Sequence, residues 1–143
     1  MEKELKKEKI SEIKTNLFLN IVKLIENINV NMSFFDCYFD LENKKIIINP
    51  KGVINKNYIN FGKIIIKEDY PMISLICKII HIDLYNYQKY SKDELKFLLL
   101  IHFYNLNYEI DEMIKNGNIV DEKLDEIEKR YGELNFLLNL VVI

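Results

Sequence analysis

Between Ile10 and Ile28 apolar residues recur at steps of three and four: Ile10, Ile13, Leu17, Ile21, Leu24 and Ile28. That spacing puts them on one stripe of an α-helix, with Glu and Lys on the opposite face. It predicts a long helix over about Lys3 to Ile28, which must bury its stripe against something. The near-heptad repeat also permits a homodimer through this N-terminal helix. Cover for a sheet of the same domain is the simpler use, because a small sheet needs its apolar face covered.

The period then changes from 3.6 to two. Phe35, Cys37, Phe39 and Leu41 alternate with Phe34, Asp36, Tyr38 and Asp40, which reads as a strand with one buried face. Glu42-Asn43-Lys44 is a turn, and Lys45–Asn49 returns with three Ile, a hairpin signal. Pro50-Lys51-Gly52 breaks the pattern. Tyr58–Phe61 and Lys63–Lys67 read as a third strand with Gly62 as a bulge, completing a three-stranded antiparallel meander.

Helical spacing returns after Pro71, which suits the first turn of a helix. Met72, Ile73, Ile76, Cys77, Ile80 and Leu84 form its apolar face, and Ser74, Lys78, His81 and Tyr85 a narrow polar stripe. Ser91-Lys92-Asp93-Glu94 is a capping box and opens a helix over Leu95 to Leu106. A short helix follows over Glu109–Asn116 and stops at Gly117. Asp121 caps another that ends at Gly132. Leu134–Ile143 is apolar to its last residue and reads as helix, with a strand over Leu140–Ile143 as the other option. The fold class expected is therefore α+β in a single domain, residues 1–143: a long N-terminal helix, a small three-stranded antiparallel sheet, then four or five helices packed on it. At fold level alone this order resembles small acidic chaperones and immunity-type proteins; no residue motif carries the likeness.

A chain of 143 residues can bury a proper core without disulfides or metals. Ile, Lys and Asn make up 60 of them, Ala is absent and Arg occurs once, at Arg130, a bias that an AT-rich genome explains. Without Ala, the helices must rely on packing. A charged start, Met1–Lys9, and no apolar run of about 20 residues argue against a signal peptide or a membrane span. A cytoplasmic location is expected, with Cys37 and Cys77 as free thiols.

Chemistry-bearing motifs are scarce. Ser and Thr number five and Gly four, so hydroxyl nucleophiles and glycine-rich phosphate loops are few. Cys37, Cys77, His81 and His102 would have to converge to hold zinc, yet they lack the paired spacings of zinc modules. Cys77 and His81, four apart, could be written as a thiol and base, but Cys77 falls on an apolar helix face. No metal site, cofactor or catalytic residue is expected.

Charge is polarised. From Asn43 to Lys67 there are six Lys and no acid; from Asn107 to Glu133 the net charge is −5. The acidic helix contains Asp121, Glu122, Asp125, Glu126 and Glu128; like charges four apart weaken a helix slightly, which permits a docking role for a basic partner, while a solvated face near the positive N-terminal end of the helix dipole is the simpler reading. With Phe34 and Tyr38 as outward-facing anchors on the first strand, these residues favour a non-catalytic protein-binding module, an adaptor, inhibitor or immunity-like protein whose partner is another protein. The alternative is nucleic-acid binding by Lys44, Lys45, Lys51, Lys56, Lys63 and Lys67, with Tyr58 and Phe61 stacking on bases. Against it stand the absence of Arg from this region and the use of Lys to protect sheet edges. A small enzyme or zinc protein built on Cys77 and His81 is the third reading.

Overall fold

A computed structural model describes residues 2–28, 37–48, 58–82, 84–117 and 119–142. Their order is α1 (Glu2–Asn27), β1 (Cys37–Asp40), β2 (Lys45–Ile48), β3 (Tyr58–Asn60), α2 (Phe61–Lys67), α3 (Tyr70–Ile79), a 3-10 turn (Tyr87–Lys89), α4 (Lys92–Lys115) and α5 (Asp121–Val141). The fold is α+β, with a long N-terminal helix, a three-stranded antiparallel sheet and five helices among the described residues.

The α1 stripe is buried as its spacing requires: Ile10, Ile13, Leu17, Ile21, Leu24 and Ile28 all lie in the core. Its main neighbours are α4 and α5 rather than the sheet. Lys6 meets Asp121 at 2.7 Å, Lys9 meets Glu128 at 2.6 Å and Asn20 Nδ2 donates to Asn135 Oδ1 at 3.3 Å, so α1 runs parallel to α5. Lys14 pairs with Asp111, and Lys96 Nζ donates to the Asn27 carbonyl, so α1 runs antiparallel to α4. The seam that suited a homodimer is thus filled within the chain.

Cys37 and Phe39 point into the core from β1, as their alternation requires. Asp40 has the outward phase and is nevertheless buried. Its carboxylate accepts from the backbone N–H of Glu42 and Asn43 and from Asn43 Nδ2, closing the hairpin turn. The strand order is β2-β1-β3, with β1 central. The third strand pairs with the first, Tyr38 opposite Asn60 and Asp40 opposite Tyr58, so the connectivity is not a meander.

Only Tyr58–Asn60 of the expected third strand is extended. The Asn60 side chain accepts from Lys63 N at 3.1 Å and starts α2, although Ile64–Ile66 has the β-branched character of a strand. Burial decides: Phe61, Ile64 and Ile65 sit on one side of α2 and reach the core, while Lys63 and Lys67 point to water.

Asp69 caps α3 by accepting from Met72 N, with Pro71 in the first turn. That helix ends at Ile79, short of the expected Leu84. The capping box at Ser91 and Glu94 forms as read. No glycine or proline lies between Leu106 and Glu109, and α4 runs through to Lys115 as one helix instead of two. Helix α5 likewise passes Gly132 and continues to Val141, so the apolar tail is helical over its described residues to that point. A mid-helix glycine costs up to about 1 kcal/mol, and burial of Leu134, Leu137, Leu138 and Val141 beyond it outweighs that loss. Asp121 is the first residue of α5 rather than its cap, which is Val120. Among the described residues, no helix is long and apolar enough to cross a membrane.

Candidate functional site

Helices α3 and α5 both pack on α4, and a cleft of about 380 Å³ lies among the three. Its lining is polar on every side. From α4 come His102, Asn105 and Glu109, at steps of three and four within an otherwise apolar helix. From α5 come Glu126, Arg130 and Glu133, again at steps of four and three. Ser74, Cys77 and Lys78 of α3 and His81 just beyond it complete the lining, with Ile82 and Leu134.

The floor holds two buried polar side chains. His102 is 8% exposed and its Nε2 lies 3.1 Å from the Ile80 carbonyl. Donation there requires the Nε2–H tautomer and leaves Nδ1 as an acceptor. Burial lowers the His102 pKa to about 4, against a smaller upward pull from the Ile80 bond; Arg130 and His81 add to the lowering. The ring is therefore neutral at pH 7. Asn105 is 5% exposed and lines the cleft. At the rim, Arg130 Nη1 donates to Glu109 Oε2.

The cleft gathers Cys77, His81 and His102, yet neither proposed use of them follows. His81 lies past the end of α3, so it does not share a helix face with Cys77 as an i,i+4 pair. Cys37 is buried on β1, and among the described residues no group of three His, Cys, Asp or Glu side chains is placed to hold a metal ion. Burial pushes the Cys77 thiol up to about 12, and Glu109 pushes the same way while Arg130 opposes. A protonated thiol beside a neutral imidazole is not an activated nucleophile. Native Cys77 is expected to react with iodoacetamide at pH 8 at least about a thousandfold more slowly than a free cysteine, from its thiolate fraction. Mass spectrometry of the Cys77 peptide checks this, and labelling at the free-thiol rate would show an exposed, ionised sulfur.

The acidic helix is divided by its contacts. Asp121 and Glu128 are engaged by Lys6 and Lys9 of α1. Glu122, Asp125 and Glu126 are exposed. Along the outer side of α5, Glu122, Asp125, Lys129, Glu133, Phe136 and Leu140 recur at steps of three and four and share one face. Phe136 is 52% exposed and Leu140 38%. Tyr38 is half-buried on the central strand, a poor position for an anchor, and Phe34 lies outside the described residues.

The described lysines of the lysine-rich region lie on the hairpin and on α2. Lys44 and Lys45 are exposed at the hairpin and share a cleft with His81, Lys89 and Tyr90. Lys63 and Lys67 belong to α2, and Lys51 and Lys56 lie outside the described residues. Tyr58 is half-buried, and Phe61 is fully buried with its ring centroid 5.4 Å from that of Phe97. Phe61 therefore cannot stack on a base.

Asn105, Glu109, Arg130, Phe136 and Leu140 were not singled out from the sequence. The signal for the first two is the polar stripe on α4, which the expected break between Leu106 and Glu109 interrupts. No family model, curated protein or solved structure matches the chain.

Proposed function

We propose that the protein is a non-catalytic protein-binding module of the adaptor or inhibitor kind, and that the outer face of α5 is its contact surface. One observation carries this reading: two exposed apolar side chains, Phe136 and Leu140, continue the same helical stripe as the acids Glu122, Asp125 and Glu133. A large apolar residue left in water is a candidate anchor, and an acidic surround attracts a complementary charge. The partner that fits is a basic amphipathic segment, with apolar residues on Phe136 and Leu140 and Lys or Arg near Glu122 and Asp125.

Tagged protein is used to capture partners from a lysate of the source organism, with and without nuclease, beside Phe136→Ser and Asp125→Lys. Both positions are exposed, so each variant is expected to keep its stability within about 0.5 kcal/mol. Capture of a stoichiometric partner is expected to survive nuclease and to fall at least about tenfold in Phe136→Ser. Undiminished capture by both variants would remove α5 as the surface. Loss of all capture on nuclease treatment would move the reading to nucleic acid at the cleft of Lys44, Lys45 and Lys89.

A further inference from the structure

The cleft among α3, α4 and α5 is set apart from the outer face of α5 by what lies inside it. Asn105 is 95% removed from solvent and lines the cavity. A largely buried amide on a cavity wall suits a ligand or water with both donor and acceptor character. The walls carry both signs of charge: Arg130 lies between Glu126 and Glu133 on α5, and Lys78 and Ser74 lie on α3.

We propose that this cleft binds a small zwitterion of amino-acid size, its carboxylate toward Arg130 and Lys78, its ammonium toward Glu126 and Glu133, and its polar body on Asn105. The charges select this class. A simple anion would meet Glu109, Glu126 and Glu133, whereas a simple cation would meet Arg130 and Lys78. An apolar molecule would offer the Asn105 amide no hydrogen bond. Arg130 suits a carboxylate because its guanidinium carries five N–H donors, of which Glu109 takes one at Nη1. The volume of about 380 Å³ lies at the small end of ligand pockets. Glu133 belongs both to this lining and to the α5 stripe, whereas Lys78, Asn105, Glu109 and Arg130 belong to the cleft and not to that stripe, so their signals report the cleft separately from α5 docking.

The probes are the twenty common L-amino acids, tested singly at about 10 mM, an excess over a millimolar dissociation constant. Inorganic phosphate and butylamine serve as probes with one sign of charge each. The readout is the side-chain amide signal of Asn105 and the guanidinium signal of Arg130 in nitrogen-15 NMR spectra of the full chain. At least one amino acid is expected to shift both signals in a saturable way, at least about tenfold more tightly than phosphate or butylamine. Asn105→Leu is expected to weaken that binding at least about tenfold. Lys78→Gln, at an exposed rim position that leaves the fold untouched, is expected to weaken it severalfold. The proposal is overturned if no amino acid moves these signals. It is equally overturned if phosphate or butylamine binds as tightly, or if Lys78→Gln and a folded Asn105→Leu both bind as the wild type does.

Discussion

Replacing Phe61 by Ala is expected to lower the free energy of unfolding by about 3–5 kcal/mol, the range for emptying a fully buried aromatic site. Phe61 has no exposed surface and makes a tilted ring contact with Phe97 of α4. It also begins α2, which packs on the central strand β1 and on α3. The loss therefore falls where helix, sheet and the α4 core meet. Domains of this size are stable by about 5–15 kcal/mol in total, so Phe61→Ala can be close to unfolding at 37 °C. Phe61→Leu keeps most of the volume and is expected to lose only about 1–2 kcal/mol. Lys63→Ala, two residues along but exposed, is expected to change stability by less than about 0.5 kcal/mol. Urea denaturation of the three variants checks the series. A loss below about 1 kcal/mol for Phe61→Ala would place its ring at the surface and restore it as a stacking residue.

His102 is expected to make the protein acid-sensitive well above the usual carboxylate range. Burial holds its pKa near 4 in the fold, against 6.5 as its ordinary value. Between these values the unfolded chain binds a proton that the folded chain refuses, so stability falls as the pH falls. The stability is fully present above about pH 6.5 and is lost progressively toward pH 4. Linkage puts the loss at about 2 kcal/mol by pH 5 and about 3 kcal/mol by pH 4. Comparison with His102→Gln separates this effect from the pH dependence of the rest of the chain. Gln can still donate toward the Ile80 carbonyl but does not titrate. The variant's stability is expected to decline less between pH 7 and pH 4 by about 3 kcal/mol, measured by urea titration at each pH. Parallel pH profiles for the two proteins would mean that His102 is protonated with its ordinary pKa in the fold.

Local signals were legible wherever one stretch of chain decides its own shape. The α1 stripe, the alternation of Cys37 and Phe39, the Pro71 start and the Ser91–Glu94 capping box each rest on a few neighbouring residues. Helix ends and the third strand were not legible in the same way. Ile64–Ile66 has strand character by propensity, yet α2 forms because Asn60 caps it and Phe61, Ile64 and Ile65 reach the core together. Gly132 looks like a stop, yet the four apolar residues buried beyond it carry α5 onward. In both places the burial available in three dimensions exceeds the local preference of about 1 kcal/mol or less.

The candidate site shows the same division more sharply. Ser74, Lys78 and His81 were visible as a polar stripe, and the acids of α5 as a charged one. That His102, Asn105 and Glu109 complete a single cleft with them depends on α3 and α5 flanking α4. Periodicity tells which residues share a face of one helix, because 3.6 residues per turn is a local property. It carries nothing about which two helices lie side by side, because packing is set by long-range burial. Periodicity and turn residues alone specify a helix-rich α+β fold with one long amphipathic helix and a hairpin turning at Glu42-Asn43-Lys44. Long-range packing is what makes β1 central, sets α1 against helices instead of the sheet, and brings polar residues from three helices together around Asn105.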